Sequence, residues 1–205
     1  YYQPEYLLLS EKLRRNKYFK KFGETISGGN YGVLPDSDDY LKQKNEGEYI
    51  YLVRGIDLRG ARVEQEDLIK VPKKYFVEKA MANPGDLLFL VKGATIDAAD
   101  SVSIMSKTDA PAIFNGSIFK PTFKEQILPE FAYVLMSTKY FIFQKRRFVS
   151  NIGIEYNSVD EIRNYDFIVP PLDFQDRIKK QIKSLFELLG ESKKYYQNSV
   201  ETFLY

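Results

Sequence analysis

The sequence predicts an α/β protein of the α+β kind: a mixed or antiparallel twisted sheet with flanking helices, followed by a long C-terminal helix of coiled-coil type. Three observations predict it. Short runs of β-branched and aromatic residues, punctuated by turn signals, occupy the middle of the chain. Apolar residues at helical spacing lie before and after that region. Beyond Pro170 and Pro171, Ile178, Ile182, Leu185, Leu189, Ser192, Tyr196, Ser199 and Phe203 alternate by four and three, which is a heptad seam.

The elements follow in order. "QPEYLLLSEKLRRNKYFKKF" predicts a helix, with Pro4 and Glu5 early, Leu9 and Leu13 on one face, and Lys20 and Lys21 late, as the helix dipole favours. "GETISGGNYGVLPDSDDYLKQKNEGEY" has the Gly, Asp, Asn and Ser content of turns, so a long surface loop is expected. Strands are expected at Tyr49 to Val53, in "GDLLFLVKG" after Asn83-Pro84, in "SVSIMS" and in "AIFNGSIFKP", with a turn near Arg59-Gly60. Asn115-Gly116 between apolar runs predicts a hairpin.

"PEFAYVLMSTKYFIFQKRRFVSN" predicts one helix, with Pro129 and Glu130 in its first turn and Phe131, Val134, Leu135 and Ile142 on a common face. Ser158 and Glu161 have capping-box spacing for a short helix before a strand from Asp166 to Val169. The two prolines end that strand, and Asp173 is the expected cap of the last helix, with Asp176 in its first turn. Thirty or so helical residues span roughly 45 Å, so the helix should project and find a partner. The seam predicts helix past Gly190, a break there being the alternative because glycine costs about 1 kcal/mol inside a helix. Two units are expected: a domain at 1–171 and a helical spacer or assembly segment at 172–205.

Composition narrows the chemistry. The chain has 205 residues, 44% hydrophobic and 28% charged, which is ordinary for a soluble globular protein, and no apolar run approaches the ~20 residues of a membrane span. No signal-peptide pattern opens it, and a cytoplasmic protein is expected. It starts at Tyr1 instead of Met, so a longer parent chain is expected. Histidine and cysteine are both absent, which removes the commonest metal ligands, the usual general base near neutrality and thiol nucleophiles. The net charge is only +2, so any nucleic-acid surface must be local.

"SGGNYG" lacks both the Lys-Ser/Thr of a P-loop and dinucleotide-binding spacing. No amino-methyltransferase motif occurs. Asp36, Asp38 and Asp39 offer carboxylates for a metal-dependent nuclease, but Lys42 and Lys44 stand at the wrong spacing, and a solvated acidic loop accounts for them. The basic residues are more informative by position. Arg54, Arg59 and Arg62 flank a turn, Lys73 and Lys74 follow a proline, Lys92 ends a strand, and Lys145, Arg146 and Arg147 form a dense block. Lysines and arginines at loop tips meet phosphates and guanine edges, while asparagines such as Asn30, Asn115 and Asn151 read adenine.

The order "ISGG", "GDLLFLVKGATIDAA", "FNGSIFKP", "YVLMSTKYF", "IVPPLDFQDRI" resembles one half of a type I restriction-modification specificity subunit. Pro170, Pro171, Leu172, Gln175 and Ile178 match the family's positions where recognition domain passes into conserved helix, and Gly85, Asp86 and Gly93 match a weaker pattern. The resemblance implies a target recognition domain that reads one half of a bipartite double-stranded DNA site and directs an adenine-N6 methyltransferase and an endonuclease to it. It implies a non-catalytic chain without cofactor, with AdoMet, ATP and Mg on partner subunits, and a second recognition domain in cis or by dimerisation. The chain departs from the pattern after "SGG", where "NYGVLP" replaces the family's frequent Thr-Pro, so a DNA role for Asn30 or Tyr31 is not implied. The DNA-binding candidates are therefore Arg54, Arg59, Arg62, Lys73, Lys74, Lys92, Asn115, Lys145, Arg146, Arg147 and Asn151. Ile178, Ile182, Leu185, Leu189, Tyr196 and Phe203 are the assembly candidates. The competing readings are the nuclease and a helix-mediated interaction module that binds no DNA.

Overall fold

In the computed structural model, which describes residues 4–41, 47–93, 101–147 and 156–203 (only the backbone at 5, 6, 147 and 193–203), the N-terminal leucines build helix α1, Pro4–Arg14. The helix stops short of Lys20 and Lys21. Phe19–Lys21 is instead strand β1, paired antiparallel with β10, Asp166–Ile168, so that Lys21 stands opposite Asp166. The buried Asp166 carboxylate accepts bonds from Lys21 Nζ, from Ser10 Oγ at 2.6 Å and from Arg14 Nε at 3.2 Å, which ties α1 and β1 to the domain. This tertiary pairing outcompetes a longer helix.

Burial by itself would raise the Asp166 pKa, but hydrogen bonds from Lys21 and Ser10 and the charges of Lys21 and Arg14 hold it below its ordinary value. Because the folded pKa is the lower one, its contribution to stability is present above the unfolded pKa of about 3.9 and is lost as pH falls through the folded value. Asp166→Asn should therefore be less stable than the parent at pH 7. Urea titrations at pH 7 and pH 2.5 should show that gap closing in acid, and a gap of the same size at both would refute the assignment.

Phe22 opens the short helix α2, Phe22–Thr25, and is wholly buried, with the rings of Phe89, Phe123, Phe141 and Phe167 edge-on at 5.4–6.3 Å. Part of the expected loop follows as strand β2, Ile26–Tyr31, paired antiparallel with β9, Ile118–Phe123. One of the two glycines in β2 serves close approach. A Cβ on Gly29 would lie 2.2 Å from the Phe119 ring. Tyr31 packs on Phe119 edge-on at 5.3 Å and lies partly buried against the core.

The remaining strands are β3 (Tyr49–Val53), β4 (Arg62–Val63), β5 (Ile69–Pro72), β6 (Leu87–Leu90), β7 (Val102–Met105) and β8 (Ala112–Phe114). They form one sheet in the order β2-β9-β6-β7-β4 and another in the order β5-β3-β8, and both mix parallel and antiparallel pairs. Leu87 and Phe89 of β6 face a core shared with the helices, whereas Leu88 and Leu90 face one shared with Tyr51 and Val53 of β3 and Phe114 of β8. Ile50 and Leu52 line a third core on the far side of β3. Strands buried on both faces read as continuous apolar runs, which is how they appear in the sequence.

The expected hairpin at Asn115-Gly116 does not form. β8 pairs with β3 and β9 pairs with β2 and β6, so this turn passes the chain from one sheet to the other. The expected single helix after Pro129 is two, α3 (Pro129–Met136) and α4 (Lys139–Arg147). Between them, the Ser137 and Thr138 hydroxyls bond to the carbonyls of Tyr133 and Leu135 at 2.9 and 2.7 Å, which ends α3. The Ser158–Glu161 capping box is present at the start of α5, Val159–Arg163.

The last helix, α6, runs Leu172–Phe203 without a break at Gly190. It starts two residues earlier than an Asp173 cap would place it, with the Pro171 carbonyl accepting from Phe174 and Gln175, so Asp173 sits within the first turn instead of capping it. Gln175 is wholly buried: its Nε2 donates to the carbonyls of Gln126 and Pro170 at 2.8 and 2.7 Å, and its Oε1 accepts from Leu128 N at 3.0 Å. Farther along, Ile178 packs on the core, Lys179 pairs with Glu130 at 3.2 Å, and Phe186 meets the Tyr133 ring at 6.0 Å and the Arg62 guanidinium at 5.1 Å. Ile178 is thus committed to the domain, while Leu185, Leu188 and Leu189 are 48–63% exposed. The side chains of Tyr196 and Phe203 lie outside the described residues. Gln175→Leu would remove the side-chain partner of three backbone groups, one buried and two partly buried, so a loss of about 2 to 4 kcal/mol is expected in urea unfolding, against less than about 0.5 kcal/mol for exposed Glu187→Gln.

Candidate functional site

The chemistry-bearing residues converge where strand ends from both sheets meet. β3 and β8 run parallel with Val53 opposite Phe114, so the next residues, Arg54 and Asn115, leave the sheet side by side, and Asn115 N donates to Val53 O at 2.9 Å. The end of β6 is bound to the same place: Val91 N donates to Ser117 O at 2.9 Å and Leu90 N to Ser101 O at 2.8 Å. Lys92 and Gly93 follow directly. Together with the turn from Gly55 to Arg59, these segments enclose an open cavity of about 370 Å³, lined by Arg54, Arg59, Lys92, Asn115, Ser101 and Ser117 among others.

Two of these side chains are held rigidly. The Arg54 guanidinium grips Asp57 through Nη2 at 2.8 Å and Nε at 3.1 Å, and the backbone N–H of Arg54 donates to the same carboxylate at 2.8 Å. That hydrogen bond to Asp57 raises the Arg54 pKa further above its ordinary value. Asn115 Oδ1 accepts from Ser117 N at 3.2 Å and from Ser117 Oγ at 2.6 Å, the Asx turn that aims the amide. Arg59 and Lys92 are exposed and enter no ion pair among the described residues. A cationic cavity with anchored side chains and an exposed cationic rim is suited to acceptor-rich, negatively charged ligands.

The structure therefore gathers Arg54, Arg59, Lys92 and Asn115 and disperses the other candidates. Arg62 lies against Phe186 of α6. Lys73 pairs with Glu48 at 2.9 Å and Lys74 with Asp39 at 2.6 Å. Lys145, expected in a solvent-facing basic block, is 2% exposed, and its Nζ donates to Ser101 Oγ at 2.7 Å, so it props the cavity from behind. The reason is helical phase: on α4 Phe141 and Lys145 share the buried face four residues apart, while Arg146 is exposed and is not among the cavity's lining residues. The Arg147 side chain and Asn151 lie outside the described residues, and Asn30 sits on β2 opposite Lys120.

Ser117 and Asp57 are the residues that sequence reasoning missed. Both carried a signal: Asn followed two residues later by Ser marks an Asx turn, and Asp three residues after Arg marks a local fork. The carboxylates offered for a metal are spent elsewhere. Asp36 Oδ1 accepts from Asp38 N at 3.1 Å, and Asp39 takes Lys74 and the Tyr75 hydroxyl, bonds that lower its pKa. Among the described residues no three carboxylates come together to hold a metal.

No family model matches the chain, and no curated protein sequence matches it. Solved structures do. A chain from a type I R-M system, solved in work on its complex assembly and conformational transition, is 16% identical with a TM-score of 0.58, over 92% of this chain and 45% of that one. The HsdS subunit from Thermoanaerobacter tengcongensis is 17% identical at TM-score 0.55, over 92% and 44%. The S subunit of a type-I restriction-modification system from M. genitalium is 14% identical at TM-score 0.53, over 93% and 44%. The shared property at these identities is the fold, and this chain spans less than half the length of the structures it matches.

Proposed function

We propose that this chain is a DNA target recognition domain of a restriction-modification system, with residues 1–171 as the reading head and 172–205 as the spacer and assembly helix. The observation that carries the reading is the cavity of Arg54, Arg59, Lys92 and Asn115 at the meeting of strand ends. Its support from outside is a fold shared with type I specificity subunits over nearly the whole chain. Cations at loop tips supply phosphate affinity, and forks aimed into a groove supply base selection. The chain performs no chemistry in this reading; AdoMet, ATP and Mg act on its partner subunits in the cytoplasm. No helix among the described residues is long and apolar enough to cross a membrane.

The half-length match and the exposed Leu185, Leu188 and Leu189 support a second recognition domain, joined through α6 in cis or by dimerisation, and methyltransferase subunits docked on the same helix. Titration of a labelled random-sequence 30-bp duplex tests the reading. Binding in the micromolar range that weakens with a steep negative slope in log salt is expected. Absence of binding at 20 mM salt would refute it.

A further inference from the structure

The two anchored side chains of the cavity, Arg54 and Asn115, face a ligand as donors. Both oxygens of Asp57 are taken by Arg54, whose Nη1 donates no hydrogen bond among the described residues and whose side chain lines the cavity. Asn115 Oδ1 holds two bonds from Ser117, while its Nδ2 meets no acceptor among the described residues. An asparagine reads adenine by donating to N7 and accepting from N6 at once, and this one has no oxygen left to accept with.

We infer that Asn115 is a specificity-determining residue locked by Ser117 into donating only, so that with Arg54 it selects guanine, whose major-groove edge presents two acceptors, over adenine. The inference rests on the DNA-recognition reading and deepens it. It also corrects the general expectation that a loop asparagine reads adenine. A backbone phosphate offers the same acceptor chemistry, and the test separates the two.

The experiment is selection from a random duplex library with the full chain and two variants. The wild type should enrich a guanine at one position. Asn115→Asp keeps an oxygen for Ser117 and turns the reading group into an acceptor, so the preference there should move to cytosine by roughly ten-fold. Ser117→Ala frees one lone pair of Oδ1 and should admit adenine at that position. Without any variant, replacing the selected guanine by 7-deazaguanine should weaken binding roughly ten-fold. Unchanged base preference in Asn115→Asp, with all sequences weakened alike, would assign Asn115 to a phosphate and overturn the inference while leaving DNA recognition intact. A wild type that binds DNA but enriches no guanine, or is indifferent to 7-deazaguanine, overturns it too. Failure of the wild type to bind DNA at all would instead defeat the functional reading beneath it.

Discussion

Reversing Arg59 and Lys92 together to glutamate should lower duplex DNA affinity roughly 100-fold and reduce the steepness of its salt dependence by about two charges. Both side chains are exposed at the cavity rim and pair with no carboxylate among the described residues, so their charge is available to a ligand. For the same reason their loss should leave stability within about 0.5 kcal/mol of the parent. Lys73 and Lys74 provide the contrast. Each already neutralises a carboxylate, Glu48 or Asp39, and reversing them should change affinity only a few-fold while disturbing those local pairs. Anisotropy titrations at three salt concentrations would separate the sets, and equal effects from both pairs would show that diffuse charge, not the cavity, binds the duplex.

Gly32→Ala should be the most damaging added methyl among the described glycines, with a loss of about 3 kcal/mol. A Cβ there would lie 1.9 Å from the Phe114 carbonyl oxygen and 2.5 Å from that of Asn115. Both obstacles are backbone, which cannot rotate away, so the end of β8 and the turn at Asn115 must move. Impaired DNA binding should accompany the lost stability, because the Asx turn moves with it. Gly28→Ala is the matched control, since nothing lies within 4 Å of its Cβ, and a change under about 0.5 kcal/mol is expected. Urea unfolding of the two variants settles the comparison: equal destabilisation would mean that conformational freedom, not close approach, is what these glycines supply.

That pair of glycines marks the limit of reading "SGGNYG" without coordinates. Composition made it a loop, and in isolation a glycine of a turn and a glycine under a crossing strand are the same letter. The neighbour that distinguishes them, Phe119 or Phe114, is some eighty to ninety residues away and is brought there by the pairing of β2 with β9 and the bridge of Val33 to Asn115. The Asn115-Gly116 turn was likewise legible as a turn but not as a crossing between sheets, because turn chemistry is local and strand partnership is not.

What the sequence alone determined about this protein was whatever depends on neighbours within a few residues. The Ser158–Glu161 box, the strands at Tyr49, Leu87 and Val102, the stop at Pro170-Pro171 and the long amphipathic α6 all rest on periodicity and short-range hydrogen bonds. The tertiary structure alone decided which charges face solvent. Lys145 and Arg146 are adjacent letters, yet one is buried beneath Ser101 and the other exposed, because a helix turns about 100° per residue and the sheet covers only one side of it. It also brought Arg54, Lys92 and Asn115 from three strand ends into one cavity. Register across two sheets places them there, and register is set by side-chain packing over the whole domain, which no local pattern contains.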